Sequence, residues 1–138
     1  MNYESLLREH RLKVTPQRFA ILSLMNEYGH ISVDDMYREI KKEFSSISLA
    51  TMYKNINAML EVSLIKEVKI PQQKSRFEIV KAPHGHLLCE KCGAFSDIEI
   101  EMDTLMSDVS KKSDYQLFET SLVFCGICPV CRQNSSAH

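Results

Sequence analysis

The stretch His84-Gly-His-Leu-Leu-Cys-Glu-Lys-Cys-Gly-Ala-Phe-Ser-Asp97 brings two histidines, a Cys-x-x-Cys pair and an aspartate together within fourteen residues. A second pair, Cys128 and Cys131, follows after a gap of 35 residues. Two thiolate pairs facing each other make a tetrahedral S4 set, the usual closed structural zinc site. Loop closure costs only about 0.6 kcal/mol more per doubling of length, so the gap permits a shared site. The other reading is two separate redox or disulfide pairs. The knuckle Cys89-Glu-Lys-Cys-Gly93 favours metal. His84 and His86 lie two apart in a run that continues into Leu-Leu and reads as a strand, so they share a face. Both imidazoles can reach one metal; the alternative is one solvated and one buried histidine. His30 sits in a loop, where a histidine is either solvated or a ligand. His138 is terminal and is set aside.

The elements that must position these residues begin with a short helix over 3–10, with Leu6 and Leu7 inward. Thr15 and Pro16 start a second helix, the first as N-cap and the second at the first helical position. Its inward residues are Phe19, Leu22 and Met25, and Gly29 ends it. Ser32 caps a third helix, with Asp35 as its capping-box partner. Its stripe is Val33, Met36, Tyr37, Ile40 and Phe44. Ser48 caps a fourth, with Leu49, Met52, Tyr53, Ile56, Met59 and Leu60 on the buried side. Thr51, Lys54, Asn55 and Ala58 lie opposite, a face of small groups, amides and one cation suited to base edges in a major groove. The other reading is an ordinary solvated face. Two strands, Leu64–Ile70 and Ser75–Val80, flank the turn 71–74. Three helices followed by a two-stranded hairpin make a winged helix, whose wing offers Lys69, Lys74 and Arg76 to phosphates.

Ala82-Pro83 marks a boundary. Beyond it 87–90 and 94–100 read as strands, and Asp103 opens a helix with Leu105, Met106 and Val109 inward. Lys111 and Lys112 sit at its C-terminal end, where the dipole favours cations. Leu117–Phe124 is a third strand. The organisation expected is therefore a winged-helix domain over 1–81, a hinge at 82–83, a second domain over 84–132 and a disordered tail over 133–138. The second domain is too small to bury much surface alone, so zinc and dimerisation are its expected supplements.

Composition sets further bounds. The N-terminus has no apolar signal-peptide core. No apolar run approaches about 18 residues, so no membrane span is expected. The expected location is the cytoplasm, where thiols stay reduced and Cys pairs bind metal. The net charge of −1 hides an asymmetry: +3 over residues 1–83 and −4 over 84–138. A basic first half and an acidic second half suit different partners.

Several of these pieces resemble the ferric uptake regulator family of bacterial metalloregulators over residues 1 to about 132. They are Leu12-Lys-Val-Thr-Pro-Gln-Arg18, Ser48-Leu-Ala-Thr-Met-Tyr-Lys-Asn55, Arg76-Phe-Glu78, His84-Gly-His86 and the two Cys-x-x-Cys pairs. The resemblance implies an α+β fold: an N-terminal winged-helix DNA-binding domain followed by a small α/β dimerisation domain with a structural zinc. It implies a homodimeric repressor on a palindromic double-stranded DNA operator. Structural Zn2+ would sit on Cys89, Cys92, Cys128 and Cys131, and a regulatory Fe2+ or Mn2+ on His30, Glu78, His84, His86 and Asp97. DNA contacts would come from Lys13, Arg18, Ser48, Thr51, Tyr53, Lys54 and Asn55. Such a mixed N/O set suits Fe(II), Mn(II) or Zn(II), whereas a zinc-sensing member typically offers a thiolate here, and no cysteine falls in the set. Glu119 and Thr120 stand where many iron sensors have a further histidine, so the extra site of those members is not expected. Asp97 is typical of the family's peroxide regulator branch, in which bound iron leads peroxide to oxidise a ligand histidine; here His84 and His30 match. Glu78 stands where that branch commonly has Asp, so a plain iron-responsive repressor is the alternative. Cys125 is expected as a buried strand residue.

Readings of two other classes remain, an enzyme and an interaction module. A thiol oxidoreductase would place its Cys-x-x-Cys at a helix N-terminus, whereas Cys92 is followed by Gly93 and a strand. A zinc hydrolase would need an open metal position beside a positioned base, and no polar cluster supplies one. A plain zinc-stapled interaction module would leave the winged helix unexplained. The expectation is a regulator and not an enzyme.

Overall fold

Serine and threonine set the helix starts of the first unit. In the computed structural model, which describes residues 1–135, Thr15 caps α2 (Pro16–Tyr28) by accepting from the Arg18 N–H at 3.2 Å. Ser32 does the same for α3 (Val33–Glu43) through Asp35, and Ser48 for α4 (Leu49–Glu61) through Thr51. Each cap satisfies one of the orphan amides that a helix start leaves. Asp34 and Asp35 in the first turn of α3, with Lys41 and Lys42 in its last, also complement its dipole. Gly29 ends α2 at φ +79°, a conformation that side chains rarely adopt. A shorter helix, α1 (Tyr3–Glu9), precedes these.

The chain divides into two units, Met1–Lys81 and Ala82–His138. In the first, β1 (Ile31–Ser32), β2 (Ile65–Val68) and β3 (Arg76–Ile79) form an antiparallel sheet in the order β1-β3-β2. The expected wing of two strands is thus a sheet of three. β1 is only two residues long and too short to show a period in sequence. The core of this unit packs Leu7, Ile21, Leu22, Met25, Met36 and Ile40 against Met52, Ile56, Met59, Leu64 and Ile65. Two expected faces rotate by about one position. Phe19 is exposed and stacks edge-on against Tyr3, while Ile21 takes the buried place. On α4 the buried stripe is Met52, Ile56 and Met59, which leaves Leu49 and Tyr53 exposed.

In the second unit β4 (Gly85–Cys89) is the central strand. It pairs antiparallel with β5 (Phe95–Ile98) and parallel with β6 (Val123–Gly126). A parallel pair needs a crossover, and the chain between β5 and β6 contains α5 (Met102–Ser113). Helix α5 starts at Met102 with no side-chain cap, and Val109, expected inward, is exposed. Of the expected strand 117–124 only residues 123 and 124 enter a ladder, which runs on to 126. Cys125, expected buried, is exposed on β6. Residues 133–135, expected in a disordered tail, belong to α6 (Pro129–Ser135). Residues 136–138, His138 among them, lie outside the described residues.

Candidate metal centres and nucleic-acid face

Both Cys-x-x-Cys pairs belong to the second unit, and the structure brings them together. Cys89 ends β4, Cys92 lies in the turn after it, and Cys128 and Cys131 flank the start of α6. The four sulfurs all lie within 4.8 Å of one another. Two sulfurs bound about 2.3 Å from a tetrahedral zinc lie about 3.8 Å apart, and Cys92 Sγ is 3.8 Å from Cys128 Sγ. The backbone prepares the sulfurs. The amides of Cys128 and Cys92 donate to Cys89 Sγ at 3.3 and 3.4 Å, and the Cys131 amide to Cys128 Sγ at 3.5 Å. The Cys128 amide, then that of Cys92, draws the Cys89 thiol down to about 6. Cys131 is pushed up to about 12, first by its bond with the Cys128 sulfur and then by burial. Such sulfurs cannot all ionise without a cation among them, and zinc supplies it. Among the described residues the cysteines form no disulfide, and Cys89 and Cys92 sit at a strand end rather than a helix N-terminus. These four cysteines form a structural zinc site; Cys125 is not among them.

A second cluster gathers at the start of β4. His84 and His86 are buried, with Nε2 atoms 3.1 Å apart. The β4–β5 register sets Asp97 opposite His86. Its Oδ1 lies 3.3 Å from His86 Nε2 and 3.7 Å from His84 Nε2. Gly85 between them packs closely: an added Cβ would meet Ile100 Cδ1 at 2.7 Å. His86 stacks on Phe95, with centroids 5.0 Å apart. His84 Nδ1 contacts the Ala82 carbonyl at 3.1 Å. A carbonyl only accepts, so Nδ1 carries the proton and the Nε2 lone pair faces the cluster. Two imidazoles and a carboxylate make an N/O donor set.

The other two expected ligands belong to the first unit. Glu78 on β3 is buried and has Lys66, its partner on β2, at 3.5 Å. Ile31 pairs with Phe77 and Ser32 with Arg76; continuing that register sets His30 across from Glu78. The nitrogen His30 Nδ1 lies 3.1 Å from Arg76 Nη1. Arg76, expected at a phosphate, is therefore turned toward the histidine. Of the other wing cations, Lys74 is held by Asp34, a hydrogen bond that raises its pKa, and Lys69 is exposed.

On α4 the exposed residues are Leu49, Ala50, Tyr53, Lys54, Asn57 and Glu61. Ser48 and Thr51 are engaged with each other at the cap. Asn55 is half-buried: it accepts from Arg18 Nε at 3.2 Å and donates to Gln17 at 3.4 Å. Arg18 also donates to the Lys13 carbonyl at 3.0 Å. Thus Arg18 and Asn55 fasten α2 to α4, while Lys13 is exposed at the start of that connection. Asn57 was not singled out in sequence. It lies three residues after Lys54 and four after Tyr53, and so shares their face.

A helical unit closed by a three-stranded wing, followed by a small α/β unit with a tetrathiolate and a His/Asp cluster, defines a metalloregulator. The chain belongs to the ferric uptake regulator family, whose sequence profile matches residues 9–125. It is similar to the peroxide operon regulator of Bacillus subtilis, 31% identical over 132 residues that cover 94% of this chain and 91% of that protein. Its fold is similar to the Campylobacter jejuni peroxide stress regulator, with a TM-score of 0.74 and 35% identity over 95% of this chain and 100% of that one. It is also similar to the Vibrio cholerae ferric uptake regulator, with a TM-score of 0.74 and 27% identity over 92% of this chain and 100% of that one. The family is one of regulators, and no catalytic family is indicated. Among the described residues no helix is long and apolar enough to cross a membrane.

Proposed function

We propose that this chain is a cytoplasmic, metal-dependent transcriptional repressor that binds a palindromic DNA operator as a homodimer and responds to peroxide. The first unit reads DNA; the second dimerises and holds metal; residues 82–83 act as the hinge. The observation that carries the metal reading is the cluster of His84, His86 and Asp97, preset by the Ala82 carbonyl and free of thiolate. Fe(II) or Mn(II) suits these donors. His30 and Glu78 complete the ligand set from the first unit. One ion bound by both units ties metal affinity to DNA affinity by linkage. Exposed Val109, Tyr115, Phe118 and Phe124 suit a second copy.

Bound Fe(II) would supply the one-electron chemistry that makes peroxide an oxidant. Its target is the imidazole of His84 or His30, which gains one oxygen atom from peroxide while water leaves. The oxidised ring is a poorer ligand, and the hinge relaxes. The relatives named for peroxide and the carboxylate of Asp97 support this reading. Glu78, in place of a shorter acid, supports the plain iron-responsive alternative. The test is DNA binding by the manganese- and iron-loaded chain before and after brief peroxide treatment. Both forms should bind, and peroxide should release only the iron form, with added oxygen on peptides bearing His84 or His30. An iron form that holds DNA with unmodified histidines would demote the chain to a plain iron sensor.

Lys54 and Tyr53 are expected to make the main contacts of the α4 face, Tyr53 to a thymine methyl or a phosphate and Lys54 to a base edge or a phosphate. Half-sites should lie about one helical turn apart, or a multiple of it. Lys54→Ala should weaken operator binding by about tenfold, and Tyr53→Ala by a similar factor. Binding isotherms at matched salt check this. Parental affinity in both variants would show that the face is misassigned.

A further inference from the structure

Two histidines of the proposed ligand set are held in opposite tautomers. At His84 the Ala82 carbonyl accepts from the Nδ1–H and leaves the Nε2 lone pair ready to bind. At His30 the neighbour of Nδ1 is the Arg76 guanidinium, 3.1 Å away. Arginine has donors and no acceptor, so His30 Nδ1 must accept. A neutral imidazole that accepts at Nδ1 carries its proton on Nε2. A metal can take only a nitrogen lone pair. If it takes Nδ1, it takes the pair that Arg76 uses. If it takes Nε2, the proton must move to Nδ1, where it would point at the guanidinium N–H. Either way the His30–Arg76 bond must break.

We infer that Arg76 competes with the regulatory metal for His30, so that this arginine sets the metal concentration at which the site fills. The inference rests on the reading of His30 as a ligand. The pairing is built into the sheet. Arg76 opens β3 opposite Ser32 of β1, one residue beyond the position opposite Ile31, and His30 immediately precedes β1. Arg76 and Glu78 share a face of β3, two residues apart. Arg76 is thus a positioning residue. It occupies the one lone pair that this tautomer of His30 offers and sets a positive charge beside the nitrogen an incoming cation needs.

The experiment is Mn(II) affinity, measured by chelator competition on the full-length, zinc-loaded chain. Arg76→Met, which keeps the stem and removes the charge and the donors, should tighten Mn(II) binding by about tenfold. Arg76→Lys, which can still donate to Nδ1, should stay near the parent. His30→Ala should weaken binding, and in its background Arg76→Met should change affinity by less than about twofold. Equal or weaker binding by Arg76→Met while His30→Ala still weakens the parent would overturn the inference and leave the functional reading standing. The same tightening in the His30→Ala background would overturn it too, since the charge would then act on the cation directly. A His30→Ala chain that binds Mn(II) like the parent would remove both the ligand reading and the inference. Nitrogen-15 spectra of the parent without regulatory metal supply a readout that needs no variant. His30 should show an unprotonated Nδ1 and His84 an unprotonated Nε2. A protonated His30 Nδ1 would overturn the inference.

Discussion

A Cys92→Ser chain is expected to lose its zinc and the fold of its second unit, while the first unit stays folded. The reason lies in where the apolar side chains go. Among the described residues every fully buried large apolar side chain, from Leu7 to Ile65, belongs to the first unit. In the second unit, taken as a single chain, the buried apolar residues among those described are Leu88, Cys89 and Met102. Burying Leu88 and Met102 stabilises by about 1.5–3 kcal/mol each. Ordering the backbone costs about 1–2 kcal/mol per residue. A structural zinc contributes about 10–16 kcal/mol in small thiolate domains, which makes it the largest single term available here. Cys92 is exposed, so serine creates no cavity, and the loss reads on the metal alone. Zinc per chain should fall from one toward zero. Circular dichroism should keep the signal of helices α1 to α4, and the variant should sediment as a monomer. Cys125→Ser is the control: it lies outside the sulfur cluster and should keep its zinc. A Cys92→Ser chain that remained a zinc-loaded dimer would sink the assignment.

What was legible in the sequence follows the range of the interactions. A helix cap is decided within four residues, and Thr15, Ser32 and Ser48 all accept the amides that their spacing implied. The Cys-x-x-Cys knuckles are equally local, since each sets its own N–H···S bond. Faces were less legible. A helical period fixes a stripe only to within a position or so, and neighbouring elements choose the rest. That choice moved Phe19, Leu49 and Tyr53 outward and drew in Ile21. Residues set by strand register were hidden altogether. Arg76 reads as a wing cation, and only the pairing of β3 with the two-residue β1 brings it to His30. Asn55 reads as a base-reading amide, yet its place opposite Gln17 and Arg18 ties it to α2. Cys125 reads as a core residue of a strand, but β6 is an edge strand and leaves it exposed.

His86→Ala is expected to abolish metal-dependent DNA binding while leaving the structural zinc in place. His86 lies at the centre of its cluster. It is 2% exposed, its Nε2 is 3.1 Å from that of His84, and Asp97 faces it across the β4–β5 ladder. Even residues that only support a ligand typically change metal affinity by about 10–100-fold. Removing the central imidazole should therefore weaken Mn(II) binding by at least about 100-fold. If metal and operator are linked through the hinge, operator affinity falls to that of the metal-free chain. Two side effects need control. Alanine loses the stacking on Phe95, an aromatic contact of about 0.5–1.5 kcal/mol. It also opens space beside Gly85 in the strand that ends at Cys89. His86→Phe keeps a ring on Phe95 and removes only the donor nitrogens, so it should lose Mn(II) and DNA as fully as alanine does. Zinc content should remain one per chain in both variants. Should both bind the operator in a manganese-dependent way like the parent, the cluster of His84, His86 and Asp97 would not be the regulatory site. Should the alanine variant alone lose DNA, the histidine would be a packing residue of β4 rather than a ligand.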